Sequence, residues 1–597
     1  MAKQQETREP SPEEILQIMG EIANKSHKLM QDYAQRRCAA KGNGGTADPL
    51  NLGPTIMELT ARMMADPTTV VRAQFSLWQD YLRLWHTTSR RLLGHDTEPI
   101  AQPERGDRRF RDPAWDDHAV FDFIKQSYLL TARWLVNTVN ELDGFDDKTR
   151  QKLDFYTRQF VDAMAPSNFV ATNPEVLRAT LESGGENLLR GLNHLLDDLD
   201  RGQGKLAIRM TDLEAFELGK NLALTPGKVV FQTDLMQLIQ YEPMTEQVYR
   251  RPLLIIPPWI NKYYILDLQP KNSFVRHAVE QGFTVFVVSW VNPGKAHADK
   301  SFEDYMVEGP LAAFEAIERA TGERDVNVIG YCLGGTLLAC TLAYMAAKRD
   351  HRVKAATFFA SLTDFEDPGE LGVFIDEEQL AAMEESMARR GYLEGREMAT
   401  TFNMLRANDL IWSFVINNYL LGKEPFPFDL LYWNSDSTRM PHAMHSFYLR
   451  KFYQENQLIE AGGITLCDVA IDLRRIRQPV YLLSTREDHI APWASTYAAT
   501  QLFRGPRTFV LAGSGHIAGV INPPSVEKYC YWTNEELPPD PTDWLEGAVQ
   551  HPGSWWPHWV RWNAEKSGDQ VSARRPGDGK LSVIEDAPGS YVRLRAV

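Results

Sequence analysis

Val326-Asn327-Val328-Ile329-Gly330-Tyr331-Cys332-Leu333-Gly334-Gly335 runs directly into Thr336-Leu337-Leu338-Ala339-Cys340-Thr341-Leu342-Ala343-Tyr344-Met345. The first four residues are mostly apolar and β-prone, and the last ten read as a buried helix. The glycine-rich turn between them completes a strand–turn–helix unit, the setting of a nucleophile elbow, here with a thiol where a serine is usual. Glycines two before and two after Cys332 leave room for a strained turn and for close packing of helix on strand. A cysteine held there sits at a helix N-terminus, where the dipole favours thiolate. The stretch therefore predicts acyl-thioester chemistry on an α/β sheet.

Outward from this stretch, short apolar runs alternate with helical segments from about Pro252. Leu253–Ile256, Thr284–Val288, Val326–Ile329, Ala355–Phe359, Val480–Leu483 and Thr508–Leu511 read as strands buried on both faces, which implies a parallel sheet. This is an α/β-hydrolase pattern, in which the catalytic residues follow the chain order nucleophile, acid, histidine. Ser484-Thr485-Arg486-Glu487-Asp488-His489 follows one predicted strand, and Gly513-Ser514-Gly515-His516-Ile517-Ala518-Gly519 follows the next. Asp488 is expected as the acid and His516 as the base, with Glu487 and His489 as competitors for a place beside them. The imidazole would take the thiol proton as attack begins, and the aspartate would hold its tautomer. The Leu333 amide is expected as one oxyanion donor. A second is expected from Pro257-Pro258-Trp259-Ile260-Asn261, and each such donor is worth about 3 kcal/mol of barrier. A cysteine thioester keeps an acyl carbon about as activated as in a coenzyme A thioester, so loading and unloading are nearly balanced. Transfer to a hydroxyl then competes with hydrolysis wherever water is kept out.

Between 361 and 478 the strand rhythm stops in favour of an aromatic- and leucine-rich stretch, too long for a simple loop. It reads as a cap over the site, with peripheral decoration as the other reading. Residues 1–205 read as a mainly helical domain, 206–565 as the catalytic domain and 566–597 as a loose tail. In the helical part, Ser11-Pro12-Glu13-Glu14 opens a capped helix with the stripe Ile15, Ile18, Ile22 and Met30. A linker follows at Lys41–Pro49. A second amphipathic pattern runs from Val70 to Leu93 with Phe75, Trp78, Leu82 and Trp85, and a third carries Ile124, Tyr128, Leu135, Val139 and Leu142. Periodicity leaves open whether these stripes pack on one another or on an apolar surface or partner.

The chain has 597 residues, enough for two or three domains, with 43% hydrophobic and 24% charged residues, as in ordinary globular enzymes. A formal charge of −15 argues against nucleic acid as a partner. The five cysteines, Cys38, Cys332, Cys340, Cys467 and Cys530, have neither disulfide nor zinc spacing and suit a reducing cytoplasm. No metal site is expected. Met1–Pro10 lacks a signal-peptide core, and no run approaches the roughly 18 apolar residues of a membrane span.

Further segments carry a resemblance. Ala165-Pro166-Ser167-Asn168-Phe169 with Asn173-Pro174, Pro257–Tyr264, Ser289-Trp290 with Asn292-Pro293, and the Cys332 box form the first set. Asp364-Phe365 with Pro368–Gly372, Trp433-Asn434-Ser435-Asp436, Arg486–His489 and Ser514–Gly519 form the second. Together they resemble the class I polyhydroxyalkanoate synthases, from about Ala165 to Trp559. The resemblance implies that Cys332 is acylated, His516 is the general base and Asp488 the third catalytic residue. It places Asn456 near the site and links Trp433 to the cap and dimer region. It implies short-chain (R)-3-hydroxyacyl-CoA substrates such as (R)-3-hydroxybutyryl-CoA, polyester and free CoA as products, and no cofactor beyond the CoA thioester itself. It also implies a homodimer, cytoplasmic and associated with polyester granules and their proteins. A cysteine-dependent thioesterase or lactone hydrolase, and a non-catalytic granule-coat protein, are the rival readings.

Overall fold

The computed structural model describes residues 52–595 together with Gln17, Gly20, Glu21 and Lys25. The stripe Ile15, Ile18, Ile22 and Met30, Cys38 and the linker Lys41–Pro49 lie outside the described residues. Two compact units emerge. One gathers the described residues up to Asp212 with Phe402–Phe426, and the other gathers Leu213–Thr401 with the chain from Pro427.

The first unit is helical. Helix Pro67–Leu92 starts three residues before the amphipathic pattern read from Val70, with proline in its first turn and the Asp66 side chain accepting from the Thr69 amide at 3.1 Å. Helix Ala119–Glu141 packs beside it, and helix Asp147–Ala163 follows, capped by Asp146. Asn173 caps Pro174–Glu182 through the amides of Glu175 and Val176. Part of the long insert belongs to this unit. Tyr419 donates to Asp198 at 2.6 Å, Asn187 donates to the Leu420 carbonyl at 2.7 Å, and the His194 ring meets the Asn418 carbonyl at 3.1 Å.

The second unit is built on eleven strands: β1 (Gly227–Gln232), β2 (Met236–Tyr241), β3 (Leu253–Ile256), β4 (Val285–Trp290), β5 (Val326–Tyr331), β6 (Val353–Phe359), β7 (Val480–Thr485), β8 (Arg507–Ala512), β9 (Cys530–Thr533), β10 (Val549–Pro552) and β11 (Glu585–Asp586). Their spatial order is β10-β9-β8-β7-β6-β5-β3-β4-β2-β1-β11. The run from β8 to β4 is parallel, and the flanking strands are antiparallel. Period-two alternation sends Leu254, Ile256, Val326, Val328, Val480 and Leu482 into one core, while Leu253, Ile255, Ile329, Tyr331, Tyr481 and Leu483 enter the other. Two buried faces are why these strands read as unbroken apolar runs.

The tail from 566 departs from expectation. Gln570–Ser572 pairs with Gln247–Tyr249, β11 pairs with β1, and Val592 is buried. Backbone pairing to an open sheet edge orders a segment whose polar composition reads as loose. No helix among the described residues is long and apolar enough to cross a membrane.

Candidate active site

Cys332 follows the last residue of β5 and precedes helix Leu333–Ala347, with φ 52° and ψ −121°. A non-glycine residue at positive φ is strained and persists only where its surroundings hold it. Here the Cys332 amide donates to the Phe359 carbonyl at 2.9 Å, and its own carbonyl accepts from Gly335 at 2.9 Å and Thr336 at 3.2 Å. The glycines are required by space. A Cβ on Gly330 would stand 2.5 Å from the Gly335 Cα, one on Gly334 would strike the Ile256 carbonyl, and one on Gly335 would strike the Ser361 hydroxyl. The half-buried thiol therefore crowns a turn pressed onto its own strand and helix.

Asp488 and His516 arrive on the ends of β7 and β8. Asp488 spends one carboxylate oxygen on the amides of Ile490 and Ala491, both at 2.9 Å. The other accepts from the Thr485 hydroxyl at 2.8 Å and lies 2.7 Å from His516 Nδ1. The imidazole is buried, and the Cys332 side chain lies close enough to act on its charge. Burial disfavours its cation, yet the Asp488 carboxylate and the Cys332 sulfur outweigh that and hold its pKa well above the ordinary histidine value. Burial likewise pushes Asp488 up, but His516 and the two amides hold it below the usual aspartate value. The three side chains form one relay from sulfur to carboxylate. Elsewhere burial pushes the Cys340 thiol far up, and Cys467 is raised to about 11 by burial and Glu303.

The other expected residues fall less uniformly. Glu487 is exposed, and His489 is half-buried with its carbonyl 3.2 Å from where a Gly369 side chain would begin. Leu333 opens its helix, where amides have no intrahelical acceptor. The backbone of Ile256–Pro257 lies against Gly334 in the same turn, so the loop Trp259–Asn261 leaves the sheet beside the thiol. The Trp259 side chain is not a site group: it is buried among Trp290, Phe302 and Tyr305, an apolar contact that outcompetes exposure of an indole. Asn456 is occupied structurally, its amide donating to Asp364 at 2.8 Å and its carbonyl accepting from the Phe365 amide at 2.9 Å. It pins the loop after β6.

Sequence reading passed over an aromatic group from the insert. Tyr448, Phe452 and Tyr453 pack on Phe365, with Tyr453 4.9 Å and Phe452 5.6 Å from it between ring centroids. Cys332 packs against the core that includes Phe365, Tyr448 and Phe452, and the phenols of Tyr448 and Tyr453 lie within electrostatic reach of its sulfur. Tyr331 was missed as well. It stacks on His516 at 5.6 Å and donates to the His516 carbonyl at 3.2 Å. Its place immediately before the nucleophile, on the face alternating with Gly330, was the available signal.

The sheet order and the elbow define an α/β-hydrolase fold with a cysteine at the elbow, and the family model for the alpha/beta hydrolase fold matches residues 251–523. A second model, the poly-beta-hydroxybutyrate polymerase (PhaC) N-terminus, matches residues 106–278. The poly(3-hydroxyalkanoate) polymerase of Methylorubrum extorquens is 52% identical over 91% of this chain and 90% of its own length. The PhaC subunit of the Rhizobium meliloti polymerase is 47% identical over 98% of this chain and 96% of its own. Among solved structures, the monoacylglycerol lipase of Paleococcus ferrophilus is 14% identical, covers 55% of this chain and 99% of its own, and has a TM-score of 0.31. The chain belongs to the poly(3-hydroxyalkanoate) polymerase family, and it is an enzyme of acyltransferase type.

Proposed function

We propose that this protein polymerises short-chain (R)-3-hydroxyacyl groups, taken from their CoA thioesters, into polyester through an acyl-Cys332 intermediate. The observation that carries the reading is the Cys332–His516–Asp488 relay at a strained elbow in a member of this polymerase family. The Cys332 thiolate attacks the thioester carbonyl, and the oxyanion forms beside the Leu333 amide. CoA thiolate leaves and takes the proton held by His516. The imidazole, now neutral, accepts the proton of a 3-hydroxyl, whose oxygen attacks the acyl-Cys332 carbonyl. One ester bond forms, the C–S bond breaks, and the proton returns to the Cys332–His516 pair. The aromatic wall of Phe365, Tyr448, Phe452 and Tyr453 favours acyl transfer over hydrolysis by keeping the thioester dry.

Granule association is part of the reading and is supported by helix Pro67–Leu92. Val71, Phe75, Trp78, Leu82 and Trp85 recur at spacings of three and four, and all are exposed, Trp85 to 67%. Such a stripe suits an apolar polymer surface. The family resemblance supports a homodimer in the cytoplasm. The test is incubation with (R)-3-hydroxybutyryl-CoA while CoA release and product are both followed. Polymer with stoichiometric CoA is expected, and Cys332→Ala should yield neither. Free 3-hydroxybutyrate as the main product would make the protein a hydrolase.

A further inference from the structure

The loop expected to carry the second oxyanion donor begins with two prolines. Pro258 has no N–H, so the first amides past the β3 strand end in this loop belong to Trp259, Ile260 and Asn261. The amides of Ile260 and Asn261 have no acceptor among the described residues. Three carbonyls around them, those of Trp259, Ile260 and Lys262, are by contrast held by one short segment of the insert. The Thr438 hydroxyl donates to the Trp259 carbonyl, the Thr438 amide donates to the Ile260 carbonyl at 3.4 Å, and Trp433 Nε1 donates to the Lys262 carbonyl at 2.7 Å. Lys262 is itself fixed. Its ammonium lies 2.7 Å from Asp436 with both side chains almost wholly buried, and it donates to the Val592 carbonyl at 2.7 Å. Tyr264 donates to the other Asp436 oxygen at 3.0 Å.

A trans peptide is planar, with its C=O and N–H antiparallel. A hydrogen bond that fixes the Trp259 carbonyl therefore fixes the direction of the Ile260 amide, and one that fixes the Ile260 carbonyl fixes the direction of the Asn261 amide. Both anchors are Thr438. We infer that Thr438 is a positioning residue: by gripping the Trp259 and Ile260 carbonyls, it aims the loop's amides at the oxygen of the acyl group on Cys332. The Asp436–Lys262 pair and Trp433 hold the far end of the same loop, and the tail reaches in through Val592. This role rests on the acyl-Cys332 reading above.

The test separates a reaction that builds an oxyanion from one that does not. Acylation of Cys332 by (R)-3-hydroxybutyryl-CoA passes through a tetrahedral oxyanion, whereas its alkylation by iodoacetamide is a direct displacement at carbon. In Thr438→Val, which keeps the shape and loses the hydroxyl, the single-turnover acylation rate is expected to fall by about tenfold to a hundredfold. The alkylation rate is expected to stay within twofold, and Thr438→Ser should restore acylation. Thr438→Ala provides a second hydroxyl deletion with no β-branch to accommodate, and a thermal melt checks each fold. Acylation unchanged in both deletion variants would overturn the role, and so would acylation and alkylation falling in parallel. Wild-type protein that alkylates at Cys332 yet never acylates would remove the thioester reading and this role with it. Wild-type acylation matched by both Thr438→Val and Thr438→Ala would remove this role alone.

Discussion

The charge on His516 is a contest between its burial, which disfavours the imidazolium, and two neighbours, Asp488 and Cys332, which favour it and win. Removing the Asp488 carboxylate tips the balance back towards burial. In Asp488→Asn the histidine pKa should drop, because burial then works against one neighbour instead of two. Imidazole 13C NMR, with the His516 signal assigned by its loss in His516→Gln, reads the shift, and an unmoved titration would count against the relay. Polymerisation should fall on the order of a hundredfold or more, the usual worth of a positioned proton shuttle. Linkage gives the stability signs. His516 is raised when folded, so its contribution is complete below its unfolded pKa and is lost as pH rises through the folded value. Asp488 is lowered when folded, so its contribution is present above its unfolded pKa and is lost as pH falls through the folded value. The melting difference between wild type and Asp488→Asn/His516→Gln should therefore be widest between about pH 4 and 6.5, the unfolded pKa values of the two groups. Tyr331 acts at the same scale. Tyr331→Phe keeps the ring on His516 and deletes one buried hydrogen bond, which should cost about 1 kcal/mol in chemical denaturation while the stack persists.

The elbow makes a prediction at the scale of an element, because its glycines face different obstacles. A Gly335 side chain would meet the side chain of Ser361, which a second substitution can remove. Gly335→Ala should destabilise by about 1–3 kcal/mol, the usual range for overpacking, and Ser361→Gly should recover part of that in a double-mutant cycle. A Gly334 side chain would meet only the backbone of Ile256 and Pro257, so Gly334→Ala should be worse and have no such rescue. A cycle with no coupling between 335 and 361 would contradict this packing. The same elements show what could be read from sequence. The parallel strands β3 to β8 announced themselves because both faces are buried, the elbow and the loop after β8 carried glycine-flanked side chains, and the loop after β7 carried a charged run directly behind an apolar strand. The antiparallel flank did not. β10, Val549–Pro552, is largely exposed, and β11 is two acidic residues held by pairing with β1 and by polar contacts of their side chains with Lys228, Gln237 and Ser590. The insert was legible as an interruption but not in its geometry. Several of its turns are π-helical, Val415–Leu420 and Leu449–Gln454 among them, which shifts side chains off the 3.6-residue period that sequence reading counts. Tyr453 reaches the neighbourhood of Cys332 from such a turn, so no spacing rule pointed to it. Thr438 was illegible for another reason: its work is done through the backbone of a loop 179 residues away.

For the molecule as a whole, an acidic chain of net charge −15 carrying an exposed apolar stripe has two competing tendencies. Its charge keeps copies apart in water, while the stripe favours an uncharged apolar body. On helix Pro67–Leu92, Leu84 is fully buried whereas Val71, Phe75, Trp78, Leu82 and Trp85 are exposed on the side away from it. The ambiguity left by periodicity, core or attachment, thus narrows for this helix. One face packs, and a second apolar face stays largely exposed among the described residues, with only Trp85 at its margin meeting Phe123 edge-on at 6.4 Å. If that face binds polyester, Trp78→Glu with Trp85→Glu should leave folding nearly untouched, because exposed substitutions usually move stability by no more than about 0.5 kcal/mol. Early turnover of soluble (R)-3-hydroxybutyryl-CoA should likewise be unchanged. Sedimentation with isolated poly(3-hydroxybutyrate) granules should weaken by about tenfold or more, since two buried tryptophans are worth several kcal/mol at an apolar surface. Ser76→Glu, exposed on the same helix but off the stripe, adds charge without removing apolar area and should bind like wild type. Equal loss in Ser76→Glu would make charge the cause, and undiminished sedimentation of the double tryptophan variant would move granule binding to another part of the molecule.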